Sequence, residues 1–556
     1  MLTKLDRDVT IRVSDGTQLC ADIYRPAAEG KYPVIVTRTP YLKETERFVV
    51  RAHYFAESGY VYIIQDVRGC GKSEGSFYPF FNEAMDGYDT LTWAAKQNWS
   101  TGSVATIGAS YGAWTQWLCA KLTHPNLVTM ISEASPPDFF QCLPYQNGAF
   151  SLPLLSWLVQ LDGYTDRGIH EIDWENVLRA RPLNLLDRLC GRQIQAWQDW
   201  LEHDREDSYW GKIAFNRNMK QIKLPVFHIS GWYDDVLVGT LINYSGMCDG
   251  RRARGGRYLQ KLLIGPWPHR INTTSRFGLV DFGEQGIIDL FAIQREWFDY
   301  WLKGSSTAVL AGPPVRFYVM EANEWMDASE WPPSQTQRIK LYLRSLGAAN
   351  TKWGKGRLDT RPPGSEAPDE YLYDPRNPVP FLTDPGWIQL GGPDDYSLIE
   401  DRDDVLVYST EPLHQDVVIA GPITVNLFAA SSAADTDFTA KLLDARPDGY
   451  VMRLNDGIIR ARFRKSRVNP TAIVPNRVYK YQIDCWASSY VFRKRHCIRL
   501  EISSSAFPKF DPNLNSGHAI ASDESTTTAT QRVYHDAEHP SHVVLSVIGQ
   551  LVKKIL

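Results

Sequence analysis

Residues 103–114 restrict the fold of this chain more than any other stretch. The short apolar run Ser103–Ile107 leads directly into Gly108-Ala109-Ser110-Tyr111-Gly112, and a Trp-, Leu- and Ala-rich run of helical character follows. Gly-x-Ser-x-Gly between a strand and a helix predicts a nucleophile elbow. In such a turn the backbone doubles back so tightly that β-carbons are excluded on either side of the serine, whose hydroxyl is lifted onto the carboxyl end of the sheet. The helix that follows aims its free N-terminal amides at the same place. Gly-x-Ser-x-Gly alone occurs by chance in a chain of 556 residues, so its weight comes from the strand and helix around it.

That length exceeds what one core supports and predicts two or three domains. Val9–Tyr24 alternates polar and apolar residues around Asp15-Gly16, as in a hairpin at a sheet edge, and Tyr32–Thr37 and Val61–Gln65 are β-branched runs suited to a buried parallel sheet. Asp86–Gln97 has helical periodicity. From about Pro144 to Lys220 strand signals vanish and Leu, Trp, Arg and Asp recur at helical spacing, which predicts an inserted helical cap. Strand character resumes at Leu224–Ser230 and Tyr258–Ile264, and Phe291–Lys303 is an amphipathic helix closed by Gly304. Beyond Ser305 the chain reads as short strands between turns, starting with Val315–Val319, as in a β-sandwich. The expected organisation is an α/β domain in two parts (1–143 and 223–305), a cap (144–222) and a C-terminal β-sandwich (306–556).

A formal net charge of −4, with 43% hydrophobic and 22% charged residues, argues against a nucleic-acid partner. The N-terminal residues include acids and lack an apolar segment, so neither a signal peptide nor a membrane anchor is expected. Eight scattered cysteines without a Cys-x-x-Cys pair suit a reducing, cytoplasmic setting. Self-association is left open.

A serine nucleophile needs a base and an orienting acid, and in α/β-hydrolases these follow in the order Ser, Asp or Glu, His. Gly231-Trp232-Tyr233-Asp234-Asp235 follows one late strand, and Gly265-Pro266-Trp267-Pro268-His269 follows the next. Among twelve histidines His269 alone stands on a loop directly after a parallel-type strand and after these acids, so it is the expected base. Asp234 and Asp235 compete nearly evenly for the acid. His228, inside its strand, reads as a buried core residue. Three other patterns read as structural. Asp66–Gly75 is glycine-rich, but Asp66 stands where a phosphate-binding loop requires its first glycine. His535-Asp536-Ala537-Glu538-His539 matches a zinc-peptidase pattern, yet Pro540 and the strand-like Val543–Val547 make it a loop. The basic run Arg460–Arg467 reads as the solvated face of a strand.

Taken together these stretches resemble the X-prolyl dipeptidyl-peptidase-like serine hydrolases, in the branch of cocaine-esterase-like enzymes, glutaryl acylases and α-amino-acid ester hydrolases. The resemblance spans most of the chain. It is carried by Pro40-Tyr41, Asp66-x-Arg68-Gly69-x-Gly71-x-Ser73-Glu74-Gly75, Gly108-x-Ser110-Tyr111, Gly231-Trp232-Tyr233-Asp234, Gly265-Pro266-Trp267-x-His269 and Trp297-Phe298-Asp299-x-Trp301-Leu302-Lys303-Gly304. It implies an α/β-hydrolase domain with a cap and a C-terminal jelly-roll, Asp234 as the acid, and an oxyanion hole made by the Tyr41 hydroxyl and the Tyr111 backbone N–H.

The expected activity is hydrolysis of an ester or amide of a small molecule with a bulky apolar part, needing neither metal nor organic cofactor. Trp114, Phe139, Phe140, Tyr145 and Trp157 fall where they would line an apolar pocket between elbow and cap, or equally serve as core. An acyltransferase on the same triad and an X-prolyl or α-amino-acyl peptidase are the alternatives, and an inert binding protein is disfavoured because every triad position is filled. Ala113 stands where α-amino-acid ester hydrolases carry an acid for the substrate ammonium, leaving Glu206 and Asp207 as the cap's candidates for that charge. A preference for uncharged acyl groups follows.

Overall fold

The computed structural model describes residues 2–549 apart from 138, 163–168, 249–251, 254–256 and 384–388. A hairpin of β1 (Thr3–Arg12) and β2 (Gln18–Pro26) opens the chain at one edge of a ten-stranded sheet, as the alternation around Asp15-Gly16 predicts. Then come β3 (Tyr32–Thr39), β4 (Val61–Asp66), β5 (Ser100–Ala109), β6 (Leu127–Glu133), β7 (Val226–Tyr233), β8 (Gln260–Pro268), β9 (Val315–Val319) and β10 (Glu324–Ala328), numbered within this sheet. The spatial order is β1-β2-β4-β3-β5-β6-β7-β8-β9-β10. Neighbours from β4 to β9 all pair in parallel. Every residue of β4, β7 and β8 is buried, which requires helices on both faces.

Helices α1 (Glu46–Glu57), α2 (Glu83–Ala95) and α3 (Tyr111–Ala120) precede the insertion. The insertion itself contains α4 (Leu154–Asp162), α5 (Trp174–Arg179), α6 (Leu186–Leu189), α7 (Gln195–Glu202) and α8 (Ser208–Ile213), while α9 (Leu237–Met247) and α10 (Leu290–Lys303) follow it. Apolar residues of α1 and α10 share one core with Ile35, Tyr62 and Ile107, whereas those of α2, α3 and the insertion share another with Val34, Val61 and Val104. The insertion therefore sits on the α3 side, next to the elbow. Gly304 ends α10 in the left-handed region at φ +71°, where a side chain would be strained.

The parallel sheet extends further along the chain than the sequence suggests. Val315–Val319, expected to begin the β-sandwich, pairs in parallel with β8, and β10 closes the sheet antiparallel to it. The first sheet thus takes two strands from beyond residue 305, because a short buried run does not reveal which sheet it joins.

From Thr336 to Ile548 the chain forms an all-β domain of eleven hydrogen-bonded strands. Its core is continuous with the end of the first sheet, so that Trp232, Phe317 and Tyr318 pack in one cluster with Ile419, Tyr490 and Leu545. Arg460, read as solvated, is buried at the domain junction, where it pairs with Asp437 at 2.9 Å and Asp511 at 3.0 Å. Asp511 also accepts from the Phe150 backbone N–H at 2.8 Å. The ion pairs satisfy a charge that strand alternation alone would have pointed at solvent.

Candidate active site

Ser110 occupies the turn between β5 and α3 with φ +58° and ψ −119°, a backbone conformation that L side chains rarely adopt. The flanking glycines make that turn feasible. A β-carbon on Gly108 would approach Gly112 O to 2.8 Å, and one on Gly112 would meet Arg38 O at 3.3 Å. The Ser110 N–H is shared between the carbonyls of Glu133 and Ala134, at 3.1 and 3.2 Å. Tyr111 begins α3, so its N–H is one of the first-turn amides without an intrahelical acceptor. Its side chain points into the core, donating to Glu83 Oε1 at 2.7 Å and accepting from the Phe80 N–H at 3.1 Å.

Tyr41 follows β3, beside the elbow. Its hydroxyl accepts from Trp157 Nε1 at 3.0 Å and borders the same cavity as Ser110. Burial raises the phenol pKa above its ordinary value, so the hydroxyl keeps its proton. With one lone pair engaged by the indole, the hydroxyl still carries a proton to donate into that cavity.

Beyond the carboxyl ends of β7 and β8, His269 Nδ1 lies 2.7 Å from Asp234 Oδ1. The other carboxylate oxygen of Asp234 accepts from Ser230 Oγ at 2.5 Å, and the Val236 N–H donates to Oδ1 at 3.2 Å. Burial pulls the His269 pKa down, but the hydrogen bond and charge of Asp234, joined by the charge of Asp235, outweigh it and leave a net rise above 6.5. Asp235 makes no such contact with the imidazole. Its Oδ1 accepts from the Leu390 N–H at 2.8 Å and from Gln389 Nε2 at 3.3 Å, and burial pushes its pKa up to about 7. Of the two adjacent acids, Asp234 is the one whose carboxylate meets the ring.

Ser110, Tyr41, Tyr111, His269 and Asp235 border one cavity, whose empty space is about 700 Å³ with its open mouth included. Trp114, Phe139 and Trp157 line it as expected. Phe140 and Tyr145 do not. Their rings stack on each other at 4.8 Å against Trp210, and Tyr145 donates to Trp200 O at 2.9 Å, so both belong to the core beneath the insertion. Phe80, Trp200 and Leu390 are lining residues that sequence reasoning missed. Phe80 packs on Trp114 with ring centres 4.1 Å apart, but its segment carries no motif. Leu390 comes from the C-terminal domain, and no local signal links it to the elbow.

The other sequence candidates have structural roles. His228 is fully buried, bonds Gln260 Oε1 at 3.0 Å, and has a pKa depressed by burial to about 4. His535 lies 2.8 Å from Asp369 while His539 bonds its neighbour Asp536, so the two ring nitrogens of the zinc-like pattern are engaged separately at a strand connection. Gly71 packs on the Asp66 carboxylate, and Ser73 Oγ donates to Asp66 O at 2.7 Å, making Asp66–Gly75 a turn braced from within. Glu206 pairs with Arg217 at 2.9 Å and Asp207 caps α8 while bonding His203, and neither borders the cavity. Among the described residues no helix is long and apolar enough to cross a membrane.

Residues 15–270 match the X-Pro dipeptidyl-peptidase (S15) family, and residues 308–544 match the X-Pro dipeptidyl-peptidase C-terminal non-catalytic domain. The chain is 36% identical over 574 residues to cocaine esterase of Rhodococcus sp. (strain MB1 Bresler), covering 97% of this chain and 98% of that one. Among solved structures, an aminopeptidase from a marine sediment Thaumarchaeota archaeon superposes with a TM-score of 0.86 at 27% identity, covering 99% of this chain and 96% of that one. An α-amino acid ester hydrolase superposes with a TM-score of 0.85 at 27% identity, over 98% and 96% of the two chains. A nucleophile-elbow sheet, an all-β partner domain and end-to-end similarity to an esterase agree: the chain belongs to the X-Pro dipeptidyl-peptidase (S15) family of serine hydrolases.

Proposed function

We propose that this protein hydrolyses carboxylic esters of a small molecule with a bulky apolar acyl or alcohol part, through an acyl-enzyme on Ser110. His269 takes the Ser110 proton as Oγ attacks the carbonyl carbon, and Asp234 holds the imidazole in the productive tautomer and balances the imidazolium. The Tyr41 hydroxyl and the Tyr111 N–H receive the developing oxyanion, each contact worth about 3 kcal/mol in the transition state. The imidazolium of His269 gives its proton to the leaving alcohol and, neutral again, takes a proton from the water that frees the acid. The observation that carries the reading is the convergence on one aromatic cavity of Ser110 in a strained elbow and a His269 bonded to Asp234.

Uncharged acyl groups are the favoured substrates. Glu206 and Asp207 lie away from the cavity, and among the described residues the one carboxyl that borders it, Asp235, is engaged by backbone and held partly neutral near pH 7. Burying an ammonium there without a full countercharge is costly. A reducing, cytoplasmic setting suits a chain with eight scattered cysteines and no Cys-x-x-Cys pair.

The test is labelling with a fluorophosphonate, which should modify Ser110 in the wild type and nothing in Ser110→Ala. Turnover of phenylacetyl and phenylglycyl esters of one alcohol then tests the acyl preference. A higher kcat/KM for the phenylglycyl ester, at a pH where its amine is protonated, would overturn that preference.

A further inference from the structure

Among the described residues the C-terminal domain reaches the candidate site through Gln389 and Leu390, and the first of them joins the loop of His269 to the loop of Asp234. Gln389 Oε1 accepts the backbone N–H of His269 at 2.9 Å. Its Nε2 donates to the carbonyl of Tyr233, the residue before Asp234, at 2.9 Å, to Gly391 O at 3.0 Å and to Asp235 Oδ1 at 3.3 Å. The next residue, Leu390, donates its own N–H to Asp235 Oδ1 at 2.8 Å and lines the cavity. The partners fix the orientation of the amide, since a flip would set its NH2 against the His269 N–H.

This contact falls where the parallel sheet stops. The β7/β8 ladder is regular to Gly231–Gly265, shifts register, and ends at the pair Tyr233–Pro268. Asp234 and His269 are the first residues past that end, so no sheet hydrogen bond sets the spacing of their backbones. A primary amide presents the same C=O and N–H groups as a peptide, and Gln389 places them across the gap as one more rung.

We infer that Gln389 is a positioning residue for His269, and that the C-terminal domain is a working part of the catalytic unit through the Gln389–Asp235 clasp. The inference rests on the role proposed above for His269. A residue that only covers the site would bury area without tying the two loops. A tie matters because a displacement of about 1 Å in a reacting group can cost on the order of a hundredfold in rate.

The clasp makes a specific kinetic demand. Gln389→Met keeps the length and bulk but removes the amide, and should lower kcat on a neutral aryl ester by roughly ten- to a hundredfold with KM changed less than about threefold. The rate of fluorophosphonate labelling at Ser110 should fall in parallel, since it depends on the same base, while the far-UV spectrum stays that of the wild type. Gln389→Glu gives an independent readout if Gln389→Met does not fold. Its carboxyl faces Asp235, and only the protonated form can both accept from His269 and donate to Tyr233. It should be active near neutral pH and lose activity towards pH 9, a descending limb absent from the wild type.

Wild-type kcat and labelling rate in Gln389→Met, or a Gln389→Glu profile that overlays the wild type, would overturn the clasp and leave the C-terminal domain as a cover. Failure of the wild type itself to be labelled at Ser110 would instead remove the proposed hydrolase reading, so the two failures are distinguishable.

Discussion

The turn at Ser110 is given its room by glycines on either side of it in sequence, whereas the meeting of Asp234 and His269 depends on groups that arrive from far along the chain. On the serine side, Gly108 and Gly112 leave the elbow room to form, and α3 follows at once with its free amides. On the acid and base side, two loops leave separate strands and meet at a 2.7 Å hydrogen bond, braced by Ser230 from β7 and by Gln389 from the second domain. The difference teaches where sensitivity to distant change should lie. A turn whose strain is accommodated by its own glycines resists changes elsewhere, while a pair of loops held by a neighbouring domain follows that domain.

Removing the nucleophile should have the largest effect. Ser110→Ala is expected to lower kcat on small aryl esters by on the order of a millionfold while leaving the thermal transition near that of the wild type. Substantial residual turnover would show that the elbow does not carry the reaction, and the contrast between the two sides would lose its first term.

Next in size is the choice between adjacent acids. Asp234→Asn should cost about ten-thousandfold in kcat by leaving the imidazole in the wrong tautomer. Asp235→Asn keeps an oxygen that accepts from Leu390 and should cost less than about tenfold. A reversal of these magnitudes would move the orienting role to Asp235.

Tyr41→Phe should lower kcat by roughly ten- to a thousandfold with a smaller change in KM, if the hydroxyl meets the oxyanion. An unchanged kcat would reduce Tyr41 to a partner of Trp157. The smallest effect concerns pH. The base must be neutral to act, so activity is present above the His269 pKa and lost as pH falls through it. Because Asp234 and Asp235 outweigh burial at this ring, the acid limb of kcat/KM should lie above the ordinary histidine value of about 6.5. Asp235→Asn removes one of those negative charges and should move the limb to lower pH. A limb at or below pH 6 in the wild type would show that the imidazole does not feel the pair.

How much of this was legible beforehand follows the same division. The elbow, the order Ser-Asp-His, the helical insertion and the change to an all-β texture all rest on local patterns of glycine, periodicity and strand-end position, and the chain shows them in one dimension. Tyr41 and the preference for Asp234 came from resemblance alone, because a tyrosine after a strand and two adjacent aspartates carry no local sign of which group points where. The cavity was read in part. Trp114 sits one turn past the serine and lines the cavity with it, but Phe140 and Tyr145, far from the serine along the chain, turn into the core against Trp210.

The sequence by itself determined the strained turn at Ser110, since only glycines at 108 and 112 leave room for it, and it determined the sheet that carries the turn, since continuous β-branched runs have to be buried on both faces. Tertiary structure alone decided that Val315–Val319 completes that sheet, that Arg460 is buried between Asp437 and Asp511, and that Gln389 and Leu390 close the site. The physical reason is that a hydrogen bond or an ion pair is satisfied by whatever partner the fold brings within about 3 Å, and the identity of that partner is not written in the residues beside it.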